Sequence, residues 1–169
     1  MLNCKVRIFS GGIPTDIRRA ENCHIPGLIR LLYQVGGVHH DIRPDLFREN
    51  AIKYTEKDLE ALLLDEKSPV FVAVEGETVL GYCFCQVMDC RGTTVLTDRI
   101  EVYIDDLCVE EHCRGRGIAG TLYDHVCAWA KEIGCSHITL NVWCGNDGAM
   151  KFYEKMGMIQ RKICMEAKL

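Results

Sequence analysis

Nothing in the sequence approaches a run of about 18 apolar residues, which excludes a helical membrane span. The first residues, Met1-Leu2-Asn3-Cys4-Lys5-Val6-Arg7, lack the roughly 7–15-residue apolar stretch of a secretory signal. No Cys-x-x-Cys is present, only Cys83-x-Cys85, so neither a zinc ribbon nor a thioredoxin-like motif is expected. There is no excess of positive charge either. A net charge of -4 excludes nucleic-acid binding through phosphate neutralisation. Internal repeats, low-complexity tracts and Pro/Gly/Ser linkers are likewise missing, so nothing divides the chain.

What remains is one globular domain. The 169 residues are 48% hydrophobic and 26% charged, and a domain of about 150 residues is the usual unit. Such a chain buries roughly 68–70% of its unfolded surface and needs no metal or disulfide for a core. The count of 11 cysteines is high and odd, so a full set of intrachain disulfides is impossible. They read as reduced, mostly buried thiols of a cytoplasmic protein. Gly11-Gly12 and Pro14 separate a leader or extra strand, residues 1–13, from a single domain over 14–169.

Hydrophobic periodicity orders the domain. Thr15 to Ala20 reads as a strand. Ile25, Leu28, Ile29, Leu32 and Tyr33 then follow helical spacing, with Pro26 in the first turn and Gly36-Gly37 as the stop. His39 to Pro44 is expected as a polar loop. Thr55-x-x-Asp58 is a capping box opening a second helix. Val70–Val74 and Val79–Met88 flank the turn Glu75-Gly76-Glu77-Thr78 as a hairpin, and Ile100–Val109 is a further strand. Ile118, Leu122, Val126, Trp129, Ala130 and Ile133 make one helical stripe ended by Gly134. Ile138, Leu140 and Val142 alternate as a strand. Asn146 caps a short helix ended by Gly157, and residues 158–169 form a last strand. The order β-α-α-β-β-β-α-β-α-β implies an α/β (mixed α+β) fold with a mixed, predominantly antiparallel sheet flanked by helices and one late βαβ unit.

One segment carries chemistry. Leu107-Cys108-Val109-Glu110-Glu111-His112-Cys113-Arg114-Gly115-Arg116-Gly117-Ile118-Ala119 runs from a strand through a glycine-rich turn into an amphipathic helix. The first N–H groups of that helix lack partners, and glycines let an anion approach them, so the turn reads as a phosphate or pyrophosphate cradle. Gly115-x-Gly117-x-x-Gly120 also fits the dinucleotide fingerprint, but five residues separate Val109 from Gly115. The acidic residue expected about 20 residues on is missing too.

Arg114-x-x-Gly117-x-Ala119 instead resembles motif A of the GNAT superfamily of N-acetyltransferases. Asn146-x-x-Ala149-x-x-Phe152-Tyr153-Glu154-Lys155-x-Gly157-Met158 is similar to that superfamily's second signature, and the element order agrees with its fold. The resemblance implies transfer of an acetyl group from acetyl-CoA to a small-molecule or peptide amine, with no metal. Arg114, Gly115, Arg116, Gly117, Ile118 and Ala119 would hold the CoA pyrophosphate. Leu107, Cys108 and Val109 would pair with the pantetheine arm in the gap where this strand splays from 136–142. The Val109 N–H would polarise the thioester, and Asn146 would contact the pantetheine. Tyr153 falls at the position of the family's frequent general acid.

An amine of pKa about 10.4 needs a base at neutral pH. Period-two alternation puts Glu101 and Asp105 on one face with Tyr103, Leu107 and Val109, and Asp106 on the other. Glu101 or Asp105, relayed through water, is the expected base. With Asp106 they suggest an acidic cleft for a cationic acceptor: an aminoglycoside-like antibiotic, a polyamine, an amino acid, or a protein N-terminus or lysine. His39-His40-Asp41 lacks a third metal ligand, and His39 to Phe47 is expected at the acceptor pocket instead. A non-catalytic acyl-CoA-binding module is the alternative function, and a homodimer is possible. Cys108, Cys113 and Cys144 lie near the expected CoA site.

Overall fold

A computed structural model describes residues 16–169; the leader expected over residues 1–13 lies outside them. Five strands form one sheet in the order β1 (Asp16–Arg19), β2 (Val70–Glu75), β3 (Thr78–Asp89), β4 (Ile100–Val109) and β5 (His137–Leu140). All neighbours are antiparallel except β4 and β5. Helices α1 (Ile25–Ile42) and α2 (Glu56–Leu63) cover one face, and α3 (Ile118–Glu132) and α4 (Asp147–Lys155) the other. Because β2 is covered on both sides, it reads as a continuous apolar run. Val70, Val72 and Val74 face α1 and α2, while Phe71 and Ala73 face α3. Among the described residues no helix is long and apolar enough to cross a membrane.

Two expectations about elements fail for identifiable reasons. Helix α1 does not stop at Gly36-Gly37 but runs on through His39 and His40 to Ile42. Gly36 is a notch rather than a terminator: a Cβ there would lie 2.4 Å from the Ala51 carbonyl oxygen. Residues 158–169 form no strand, and all but the half-buried Met158 are exposed, although Ile159, Ile163 and Met165 alternate as a strand would. Ion pairs from Arg161 to Glu101 (3.2 Å) and from Glu166 to Arg43 (2.8 Å) tie this segment instead. The capping box does form, with the Thr55 N–H donating to Asp58 Oδ2 at 2.9 Å and the Thr55 hydroxyl oxygen accepting from the Asp58 N–H.

The feature that builds the site is an irregularity in β4. Asp106 pairs with Phe84 and Ile104 with Cys85, so Asp105 has no partner on β3 and forms a β-bulge. The bulge changes which parity of residue faces which layer. Val102 and Ile104 pack under α3, and so do Leu107 and Val109 after it, while Cys108 faces α1. Asp105 therefore does not share a face with Leu107 and Val109, and Asp106 is not opposite Asp105: both carboxylates point toward the α1–α2 layer. Beyond the bulge β4 also leaves β5, whose pairing ends at Ile104 with Leu140. Strand β5 stops there, short of the alternation through Val142.

Candidate acyl-transfer site

Where β4 and β5 part, the diverging strands, α1, the segment 43–53 and α4 enclose a cavity of about 480 Å³. The hydrogen bond at the top of β4 fixes its donors. The Glu110 N–H donates to the Leu80 carbonyl of β3 at 2.8 Å. In an antiparallel ladder alternate residues bond to the same neighbour, so the Leu107 and Val109 N–H groups point away from β3, into the opening β5 has left. Leu107 lines the cavity and Val109 does not; Val109 lies one dipeptide, about 7 Å, nearer the glycine turn.

That turn is shaped for an anion. Gly115 and Gly117 both take positive φ, 78° and 84°, and Gly117 caps α3. A side chain at either would be strained, and nothing stands within 4 Å of the Gly115 Cβ position. The backbone therefore lies open to a phosphate at the helix N-terminus. Arg114 and Arg116 are exposed beside it, and Ile118 anchors the helix in the core. Ala119, next to Gly120, keeps the first turn slim.

A residue missed in the sequence holds this turn in place. Gln34 of α1 donates to the Val109 carbonyl at 3.0 Å and accepts from the Glu111 N–H at 3.0 Å. Gln34→Ala should therefore raise the acetyl-CoA KM by up to roughly 30-fold, the scale of two lost hydrogen bonds of about 1 kcal/mol each. Saturation kinetics with a fixed acceptor reads this out; an unchanged KM would remove Gln34 from the role.

The carboxylates differ sharply. Glu101 lies low on β4, outside the cavity, between Arg99 (3.0 Å) and Arg161 (3.2 Å). Asp105 is in the cavity but engaged: Lys53 Nζ lies 2.6 Å from Oδ1, and the Tyr54 hydroxyl donates to Oδ2 at 2.8 Å. Asp106, also in the cavity, accepts from the buried Tyr82 hydroxyl at 2.8 Å. Desolvation pushes the Asp106 carboxyl up to about 6, against the opposing pull of that hydrogen bond and of Lys53.

On the other side, Tyr153 of α4 reaches the cavity, packed at 5.0 Å from Phe152. Burial above all holds its phenol well above the ordinary range. Asn146 lines the cavity and caps α4, its side-chain oxygen accepting from the Ala149 N–H at 3.2 Å. The outer wall is aromatic: Phe47 lies 5.0 Å from His39 and 5.1 Å from Trp143. Burial and Lys53 lower the His39 pKa, which keeps the ring uncharged at neutral pH. His40 is not in this wall; its Nδ1 donates to the Phe47 carbonyl at 2.8 Å and fixes the segment. Cys108 points into the α1 layer, and burial pushes its thiol up to about 12, whereas Cys113 is half-buried and Cys144 exposed.

Known proteins resemble this chain in sequence and fold. The sequence matches N-alpha-acetyltransferase 30 of Schizosaccharomyces pombe at 33% identity over 92 residues, 54% of this chain and 58% of that protein. It matches N-alpha-acetyltransferase MAK3 of Arabidopsis thaliana at 33% over 92 residues, 54% of this chain and 45% of that protein. The chain thus spans about half the length of these curated relatives. Among solved structures, a variant of the BH1408 protein of Bacillus halodurans superposes with a TM-score of 0.87 at 32% identity, covering 91% of this chain and 99% of that one. An aminoglycoside acetyltransferase from an uncultured soil metagenomic sample, in complex with sisomicin, gives 0.70 at 19% identity over 92% and 96%, a likeness of fold. The model of the acetyltransferase (GNAT) family matches residues 37–158, taking in β4, the glycine turn, β5 and α4. The chain belongs to the GNAT acetyltransferase family.

Proposed function

We propose that this chain transfers the acetyl group of acetyl-CoA directly to a primary amine, and that the amine carries an apolar or aromatic group beside its single positive charge. The observation that carries the reading is the unpaired edge of β4. Its outward N–H donors run from the glycine turn to a cavity holding a desolvated carboxylate and a phenol. Acetyl-CoA supplies the activated acyl group, and the rest falls to the chain.

The first N–H groups of α3, with Arg114 and Arg116, bind the pyrophosphate, where donors and dipole converge. The Val109 N–H bonds the pantetheine arm as an added strand, alongside Asn146. The Leu107 N–H, at the level of the cavity and facing the Asp106 carboxylate in the free site, turns to the thioester oxygen as charge develops there. This moves the oxyanion donor from Val109, where sequence reasoning put it, to Leu107. Asp106 takes the proton from the acceptor ammonium, directly or through one water. The carboxylate is roughly nine-tenths ionised at pH 7 with a pKa near 6, and basic enough to work. Tyr153 donates to the departing thiolate.

The acceptor class follows from pairing. Of the three carboxylates expected to make the cleft acidic, Glu101 is outside it and Asp105 is matched by Lys53. With Arg48 and Lys53 lining the cavity against Asp105 and Asp106, a polycation finds no surplus of negative charge, whereas His39, Phe47 and Trp143 offer an apolar wall. Peptide N-termini with an apolar first side chain and arylalkylamines fit; the named activity of the N-alpha-acetyltransferase relatives is consistent with the former.

Thiol release from acetyl-CoA against a panel of amines tests the reading. Tyr153→Phe should lower kcat on the order of 10²-fold, with acetyl-CoA KM little changed, because the phenol acts on the leaving group. Full activity of that variant would remove Tyr153 from the acid role. Tight CoA binding without turnover on any amine would point to a non-catalytic acyl-CoA-binding module.

A further inference from the structure

We propose that Lys53 is an internal acceptor, and that the chain acetylates its own Lys53 Nζ when acetyl-CoA is bound. This rests on the site being an acetyl-CoA-dependent transferase site. The ammonium of Lys53 stands where an acceptor ammonium is expected, in the same cavity as Asp106, Leu107 and Tyr153. It is 2.6 Å from Asp105 Oδ1 and 5.5 Å from the centroid of the Tyr54 ring. Asp105 is only two residues from Leu107, about 7 Å along an extended strand. The Lys53 side chain is 47% exposed, so its four-carbon stem is free to swing that distance. The groups facing Nζ are those an amine nucleophile needs: a carboxylate already in hydrogen-bond contact, a second desolvated carboxylate in Asp106, and the uncharged His39 ring.

The reaction balances without another reagent. The Lys53 ammonium gives one proton to Asp105, which returns it to water. The free amine forms a bond from Nζ to the acetyl carbon. The bond from that carbon to sulfur breaks, the thiolate takes a proton from Tyr153 to leave as CoA thiol, and the second nitrogen proton passes through water to the Tyr153 phenolate and restores it. The product is a neutral amide on Lys53, which leaves Asp105 without its counter-ion and enlarges the negative charge facing the acceptor opening.

Full-length protein incubated with isotopically labelled acetyl-CoA, followed by intact-mass measurement and peptide mapping, tests this. One label per chain is expected, at Lys53, with a first-order rate independent of protein concentration. Lys53→Arg keeps the ion pair and should lose the label. Tyr153→Phe should slow labelling on the order of 10²-fold, as it slows turnover. Label at Lys53 at equal rates in Tyr153→Phe and in unfolded chain would be spontaneous chemistry and would overturn the proposal. Thiol release with external amines but no label at Lys53 would overturn it while leaving the transferase reading intact. Absence of both, despite CoA binding by thermal shift, would overturn the two together.

Discussion

Asp106→Asn should lower kcat/KM by on the order of 10²- to 10⁴-fold, the range of a positioned general base. Asparagine is nearly isosteric, and its carbonyl oxygen still accepts from the Tyr82 hydroxyl that now donates to Asp106 at 2.8 Å. The substitution therefore removes the proton acceptor with little disturbance of the core. The pH profile separates this from a structural effect. A base must be ionised to act, and desolvation has raised this carboxyl to about 6, so wild-type activity should rise with pH and level off above that value. The variant's residual activity should lack that acid limb. Asp105→Asn makes the comparison: its carboxylate is already matched by Lys53, so it should keep a limb near 6. A limb near 6 that survives in Asp106→Asn would transfer the role to another group.

Gly36→Ala and Gly37→Ala should move stability in opposite directions. Glycine inside a helix ordinarily costs roughly 0.5–1 kcal/mol relative to alanine, and nothing stands within 4 Å of the Cβ position at Gly37. Gly37→Ala should therefore raise Tm by about 1–4 °C, at roughly 2–4 °C per kcal/mol for a chain of this size. At Gly36 the added methyl would sit 2.4 Å from the Ala51 carbonyl oxygen, and a backbone atom yields only if its segment moves. Overpacking of this kind costs typically 1–3 kcal/mol, so Tm should fall, by up to about 10 °C once the helix gain is subtracted. The displaced segment carries Phe47 and Lys53, so acceptor KM should rise while acetyl-CoA KM stays put. Calorimetry and bisubstrate kinetics read both; a shift of the same sign in the two variants would mean that the contact is not a constraint.

These two results mark where sequence reasoning reached and where it stopped. Strand and helix types from β1 to α4 followed from periodicity and caps, because each element has a buried stripe of its own period. The glycine turn was legible because Gly115 and Gly117 have a conformational reason to be glycine. Gly36 was misread because a glycine used for close approach looks in sequence like one used to end a helix. Asp105 was put on the face of Leu107 and Val109, and so opposite Asp106, because alternation was carried unbroken through β4. A signal was there: Val102 and Ile104 are apolar at even positions, Leu107 and Val109 at odd ones, and two aspartates fill the join. A change of parity between apolar pairs in one strand is what a single inserted residue leaves behind. Gln34, Lys53 and the partners of Phe47 had no such trace. Their roles depend on contacts between segments far apart in the chain, and local pattern carries no information about those.

The unpaired Asp105 also bears on how this sheet tolerates improvement. Deleting that one residue would restore an uninterrupted ladder between β3 and β4, and by the ordinary measures of strand regularity the protein would be better made. Asp106 would keep its place opposite Phe84, but the carboxylate that holds Lys53 and the Tyr54 hydroxyl would be gone. Any engineering that rewards regular pairing will be drawn to this repair, and selection for thermal stability alone should find it before selection for turnover removes it. The imperfection is therefore best treated as a fixed point around which the rest of the sheet can be idealised.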